Sequence, residues 1–247
     1  MLLLAIDTST TAITVALHYG SSVLARATTL DARAHAEHLA PGIRSTLADA
    51  GAAPADVTDV VVGIGPGPFT GLRVGIVTGR TFAFALGLPV RGLTSLDALA
   101  HEAWLGGRRG DLLVATDARR KEVYAARYVL DDTGAIRVLD PVVSRAADLD
   151  ADARSLPTAG RGPQLYPDAL PHGVGPLDVD AGALADLAAR RLDGVDGVDG
   201  HVSGPDGTDA STLQLVDPGH GFDGLEPLYL RRPDAAPAAP STKSTLG

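Results

Sequence analysis

Apolar and polar positions alternate with a strand's period over Leu2–Ile6, Ile13–His18 and Val23–Ala27. The polar turns Asp7-Thr8-Ser9-Thr10-Thr11 and Tyr19-Gly20-Ser21-Ser22 separate them. The spacing then changes to helical: Leu39, Ile43 and Leu47 share one face of a helix predicted over His35–Ala50, with Gly51 as its stop and Pro41 near its beginning, either within the first turn or kinking the helix. Strand Val57–Val62 runs into Gly65-Pro66-Gly67-Pro68, where fixed φ and missing N–H groups end any ladder. A helix follows over Phe69–Leu86, with Leu72, Ile76, Phe82 and Leu86 on helical spacing. Gly71, Gly75, Gly79 and Ala83 recur every fourth residue on the same helix. A helical glycine costs roughly 1 kcal/mol relative to alanine, so this flat stripe implies close approach of another backbone, in a partner or in the same domain.

Strand Pro89–Leu93 and helix Ser95–Leu105, N-capped by Ser95, complete the first region. A hairpin meander followed by β-α-β-α crossovers predicts an α/β fold with mixed sheets flanked by helices, the order of the actin-like ATPase or ribonuclease-H-like superfamily. We expect an N-terminal subdomain over residues 1–105 and, after the hinge Gly106-Gly107-Arg108-Arg109-Gly110, a C-terminal one over 106–233. The second region carries strands Leu112–Thr116, Val123–Leu130 and Ile136–Leu139, then a strand at Leu156–Gly160 and a helix at Gly182–Leu192. Residues 193–209 are Gly/Asp-rich and read as a mobile loop, and 234–247 as a disordered Pro/Ala/Ser tail.

Composition narrows the partners. The chain has 247 residues, 45% of them hydrophobic, which suits a globular fold with a substantial core. Its formal charge of −9 argues against extensive phosphate-backbone binding by this chain alone. Cysteine is absent, which removes disulfides and thiolate chemistry and fits a cytoplasmic protein. No apolar run approaches the ~18 residues of a membrane span, and MLLLAIDTST reads as a first strand, not a signal peptide.

Candidate chemistry is sparse. Asp7 and Ser9 occupy the place of a phosphate-binding hairpin, but the glycine that would admit phosphate is missing, so an Asx-type turn competes with a nucleotide role. Gly65-Pro66-Gly67 precedes a helix N-terminus without a Walker pattern. His35, Glu37 and His38 have metal-like spacing with no third ligand in view, and His101-Glu102 is a polar pair on a helix. Arg119 and Arg120, within Asp117–Tyr124, are candidates for ion pairing or for an anion contact such as nucleotide or tRNA phosphate.

These motifs, taken in order, resemble the TsaB (YeaZ) family: Ala5-Ile6-Asp7-Thr8-Ser9-Thr10, His35-x-Glu37-His38-Leu39-x-Pro41, the run Gly65–Arg73, Thr94–Ala100, Asp117–Tyr124 and Pro227-x-Tyr229-Leu230-Arg231. The likeness is dense over residues 2–130 and returns over 220–232; Pro68 departs from it, the family usually having serine there. The resemblance implies a non-catalytic subunit of the complex that forms N6-threonylcarbamoyladenosine beside the anticodon of tRNAs reading A-starting codons; the alternative is a free-standing actin-like ATPase or small-molecule kinase, which would need a glycine after Asp7 where Ser9 stands. Its partners would be the catalytic paralogue TsaD and the ATPase TsaE, with a homodimer when TsaD is absent, and tRNA met through the complex. The positions matching TsaD's His-x-x-x-His metal pair are Ser95 and Leu99, so no catalytic, cofactor or metal residue is assigned; ATP or ADP would sit only at the complex boundary. The implied partner interface comprises His35, Leu39, Ile43, Phe69, Leu72, Arg73, Gly75, Ile76, Gly79, Phe82 and Ala83. Asp7, Ser9, Arg119 and Arg120 would be vestigial nucleotide or tRNA contacts. On this reading, Gly75→Leu or Gly79→Leu abolishes partner binding and leaves the monomer folded.

Overall fold

The computed structural model describes residues 1–31, 34–194 and 222–230. The Gly/Asp-rich residues 195–209, the tail 234–247 and Arg231 lie outside the described residues. The first layer is a five-stranded sheet of order β3-β2-β1-β4-β5, built from β1 (Leu2–Asp7), β2 (Ala12–Tyr19), β3 (Ser22–Leu30), β4 (Asp59–Gly63) and β5 (Val90–Leu93). The first three strands form an antiparallel meander; β4 pairs parallel with β1, and β5 parallel with β4. Parallel neighbours need crossovers, which α1 (His35–Asp49) and α2 (Phe69–Leu86) supply on one face and α3 (Ser95–Leu105) begins on the other. Strand β1 is buried throughout because both faces are covered: Leu2, Leu4 and Ile6 meet α1 and α2, while Leu3 and Ala5 join the α3 side.

The second sheet has order β8-β7-β6-β9, from β6 (Gly110–Asp117), β7 (Glu122–Leu130), β8 (Ala135–Arg145) and the short β9 (Thr158–Ala159). Its strands repeat the first sheet's plan, an antiparallel meander with one strand added parallel to the first. Helix α3 lies between the two sheets; Leu96 and Leu99 share a core with Leu112, Val114 and Tyr128. Two one-turn helices, α4 (Ala151–Arg154) and α5 (Gly162–Leu165), lie beyond β8, and a small core around Leu113, Ala115 and Leu170 closes the far side.

Several expectations need correction. Helix α6 (Ala181–Leu192), capped where Asp180 accepts from Ala183 N at 3.1 Å, packs on β1, β2 and α3. Residues 222–230 pack on β5. Elements from the 106–233 region thus also cover the first sheet, α6 on β1 and β2 and residues 222–230 along β5. Strand β8 runs to Arg145, far past Leu139, and the strand expected over Leu156–Gly160 shrinks to Thr158–Ala159. Thr94, not Ser95, occupies the cap position of α3. Pro41 lies beyond the first turn of α1, on its exposed side, so the Glu37 carbonyl deprived of a donor faces water.

Candidate functional site

The meander turns at the ends of β1 and β6 carry the charged candidates. Each is four residues long, 8–11 and 118–121, and each follows an aspartate. Asp7 Oδ1 accepts from Ser9 N and from Ser9 Oγ, both at 2.7 Å, and Oδ2 accepts from Ser95 Oγ at 2.6 Å. Ser95 Oγ in turn accepts from Gly65 N at 3.0 Å, tying α3 and the Gly-Pro loop to the turn. Thr8 Oγ1 donates to Gly71 O at 2.7 Å and accepts from Gly75 N at 3.0 Å. Burial raises the Asp7 pKa, opposed first by the Ser95 hydrogen bond and then by those from Ser9.

This turn is closed by the Gly-Pro loop and helix α2 of the same chain. A Cβ on Gly67 would stand 2.4 Å from Ser9 O, one on Gly75 2.4 Å from Thr8 Oγ1, and one on Gly79 2.3 Å from Val62 Cγ1. The close approach implied by the small-residue stripe is therefore intramolecular. Leu39, Ile43, Leu72, Gly75, Ile76, Gly79 and Ala83, expected at a partner interface, are buried in their own domain. His35 is buried too, with Nε2 near the Gly71 backbone and without a hydrogen-bond partner. Of the expected face, Arg73 is exposed and Phe69 and Phe82 are half-buried. The outer face of α2 instead presents Val77 at 59% and Phe84 at 68% exposure, interleaved with exposed Arg73 and Arg80. Their seven-residue spacing, 73 with 80 and 77 with 84, was available in the sequence as a second stripe.

At the other turn, Asp117 Oδ1 accepts from Arg119 N at 2.7 Å, and the Arg119 guanidinium lies 3.1 Å from its other oxygen. Arg119, Arg120 and Lys121 are exposed and hold φ of 61°, 51° and 65°, a left-handed run that L-residues rarely adopt. His38 faces Asp31 at 3.6 Å, away from any ligand cluster. Among the described residues no three His, Cys, Asp or Glu side chains are grouped to hold a metal. Ser95 and Leu99 are fully buried.

Two polar knots escaped sequence reasoning. His101 Nε2 lies 2.7 Å from Asp186 Oδ2, and His18 Nε2 3.7 Å from Oδ1, so β2 and α3 share one carboxylate of α6. The His101 hydrogen bond, with the His18 ring close by, holds that carboxyl well below the usual range. Asp97 accepts from Tyr128 OH at 2.8 Å, Arg137 at 3.1 Å and Arg191 at 3.2 Å, joining α3 to β7, β8 and α6. Their members lie far apart in sequence, and only the fold brings them together.

The meander with parallel crossovers, repeated in two sheets, defines an actin-like, ribonuclease-H-like protein whose first turn is sealed. The family model described as TsaD, tRNA N6-adenosine threonylcarbamoyltransferase, matches residues 23–166. The solved structure of YeaZ from Pseudomonas aeruginosa is 31% identical with a TM-score of 0.69, covering 78% of this chain and 92% of that one. An uncharacterized protein of Mycobacterium tuberculosis is 41% identical over 97% of this chain and 96% of its own length. The tRNA threonylcarbamoyladenosine biosynthesis protein TsaB of Bacillus subtilis is 37% identical over 130 residues, 52% of this chain and 55% of that protein. The chain belongs to the TsaB (YeaZ) family.

Among the described residues no helix is long and apolar enough to cross a membrane.

Proposed function

We propose that this chain is the non-catalytic subunit that binds and activates a TsaD-type transferase in forming N6-threonylcarbamoyladenosine at position 37 of tRNAs reading A-starting codons, in the cytoplasm. The observation that carries the reading is the buried Asp7–Ser95 hydrogen bond at 2.6 Å. Where the resemblance puts the first metal ligand of the transferase stands a serine hydroxyl already committed to Asp7 and Gly65 N, and the second position, Leu99, is core. With Gly67 against Ser9, the turn has no room for a phosphate, which weighs against a free-standing ATPase or kinase.

The partner surface we propose is the outer side of α1 and α2, centred on Val77 and Phe84, with Arg73, Phe69 and Phe82 at its edges. Two exposed apolar side chains interleaved with two exposed arginines suit an interface that combines apolar and charged contacts. The same face would serve a homodimer when the transferase is absent, and the ATPase TsaE, a nucleotide at the subunit boundary and tRNA would be met by the assembled complex. The test is co-elution of this chain with the same organism's TsaD-type transferase on a sizing column, alongside tRNA threonylcarbamoylation with and without it. A joint peak and modification that depends on this chain are expected. Separate peaks with unaided modification would overturn the proposal, as would modification by this chain alone.

A further inference from the structure

Residues 222–230 return to the structure along β5 and the start of α2. Asp223 N donates to Gly92 O at 3.0 Å, and its Oδ2 accepts from Thr94 N at 2.8 Å and Thr94 Oγ1 at 2.9 Å. Leu228 N donates to Ile64 O at 2.9 Å. These bonds fasten the segment to the sheet; at its far end it delivers Tyr229 to α2. The Tyr229 ring stacks on Phe69 with centroids 5.1 Å apart, and its hydroxyl accepts from Arg73 Nε at 2.9 Å. The Arg73 guanidinium lies 4.2 Å over the Phe69 ring.

Folding alone does not account for this cluster. Arg73 is exposed and Tyr229 is 38% exposed, and contacts of this kind at a surface contribute little to stability. What they do is fix a long side chain that would otherwise sample many rotamers, on the helix face that carries Val77 and Phe84. We infer that the return segment completes the partner-binding face: Tyr229 is a positioning residue that holds Arg73 ready for a carboxylate of the bound chain. The occupant is the helix pair of a TsaD-type transferase. The transferase family model itself spans α1 and α2 of this chain, so that partner carries an equivalent pair, and two like faces can pack about a near-two-fold axis. Arg73 and Arg80, alternating with Val77 and Phe84, are complemented by carboxylates on the opposing face. Holding Arg73 in advance removes part of the ordering cost of association.

This inference rests on the proposed function, and its test keeps the two apart. The full-length chain and its Tyr229→Phe, Tyr229→Ala, Arg73→Ala and Tyr229→Phe/Arg73→Ala variants are titrated calorimetrically with the same organism's transferase. We expect Tyr229→Ala to weaken binding about tenfold and Tyr229→Phe about threefold, with melting temperatures little changed. In the Arg73→Ala background Tyr229→Phe becomes silent, the coupling that an independent structural role would not produce. Should Tyr229→Ala fail to fold, Tyr229→Phe and its coupling decide. Binding within twofold of the parent for Tyr229→Phe, or additive losses in the double variant, overturns the role of the return segment alone. A parent chain that does not bind the transferase overturns the proposed function and this inference together.

Discussion

The two meander turns begin alike and end differently. Each has an aspartate at the end of its first strand accepting from the N–H two residues on, at 2.7 Å in both. At Asp7 the loop is short hydroxyl side chains, small enough for α2 to close over them, and every polar atom named there is satisfied inside the protein. At Asp117 the loop is Ala118-Arg119-Arg120-Lys121, exposed from Arg119 onward and left-handed over three residues. One backbone turn can thus be a structural joint or an open cationic tip, and what decides is whether a small-residue helix lies across it. Resemblance to a phosphate loop counts for little once the covering glycines are seen.

The largest effect should come from forcing the sealed turn open. Gly75→Leu would drive its Cβ into Thr8 Oγ1, and we expect a loss of about 3 kcal/mol or more in denaturant unfolding, not a folded monomer that has merely lost its partner. Partner binding that disappears with stability intact would return Gly75 to the interface. Removing the two aspartates comes next. Asp7→Ala leaves Ser9 N and Ser95 Oγ buried without their acceptor and should cost about 2 kcal/mol, whereas Asp117→Ala at the exposed tip should cost under about 1 kcal/mol. Equal losses would mean that the covering helix does not set the difference.

A pH series sharpens the contrast. Because the Asp7 pKa is raised in the folded chain, the unfolded chain gives up its proton first, and stability falls as pH rises from the ordinary aspartate value of 3.8 through the raised folded pKa. Asp7→Asn should flatten that part of the profile in denaturant melts at successive pH values, and an unchanged slope would assign the pH dependence to another group. The smallest effect is a gain. Lys121→Gly removes the left-handed penalty at φ 65° and should stabilise by up to about 1 kcal/mol in thermal melts. A loss would show that the Lys121 side chain contributes to the turn.

Local signals carried the first sheet and α2. The Pro/Gly break marks the start of α2, and the expected span Phe69–Leu86 agrees with the structure, where Gly87 at φ 66° ends the helix. The glycine stripe also announced a close contact correctly, yet a periodic pattern cannot say which molecule supplies the neighbour; here it is Thr8 and Val62. Strand β8 was cut short because its exposed Val138, Leu139 and Val142 break alternation, where its pairing with β7 shifts register between Ala125 and Tyr128. The Asp97 and Asp186 knots were illegible because each joins side chains more than thirty positions apart. Tyr229 stood out as part of a motif, but nothing in the local sequence points from it to Arg73.

The glycines over the sealed turn also bear on what mutation can reach. Opening a phosphate-sized hole beside Asp7 by changing Ser9 to glycine would not suffice, since Gly67 abuts the backbone oxygen of Ser9 and not its side chain. Space appears only if α2 shifts as a body, which means altering its contacts with Val62 and Thr8 together with the turn. Single substitutions along that route lose packing before they gain a site. A chain with this closure has few short mutational paths to a phosphate-sized pocket beside Asp7, and its surfaces can diversify while that turn stays shut.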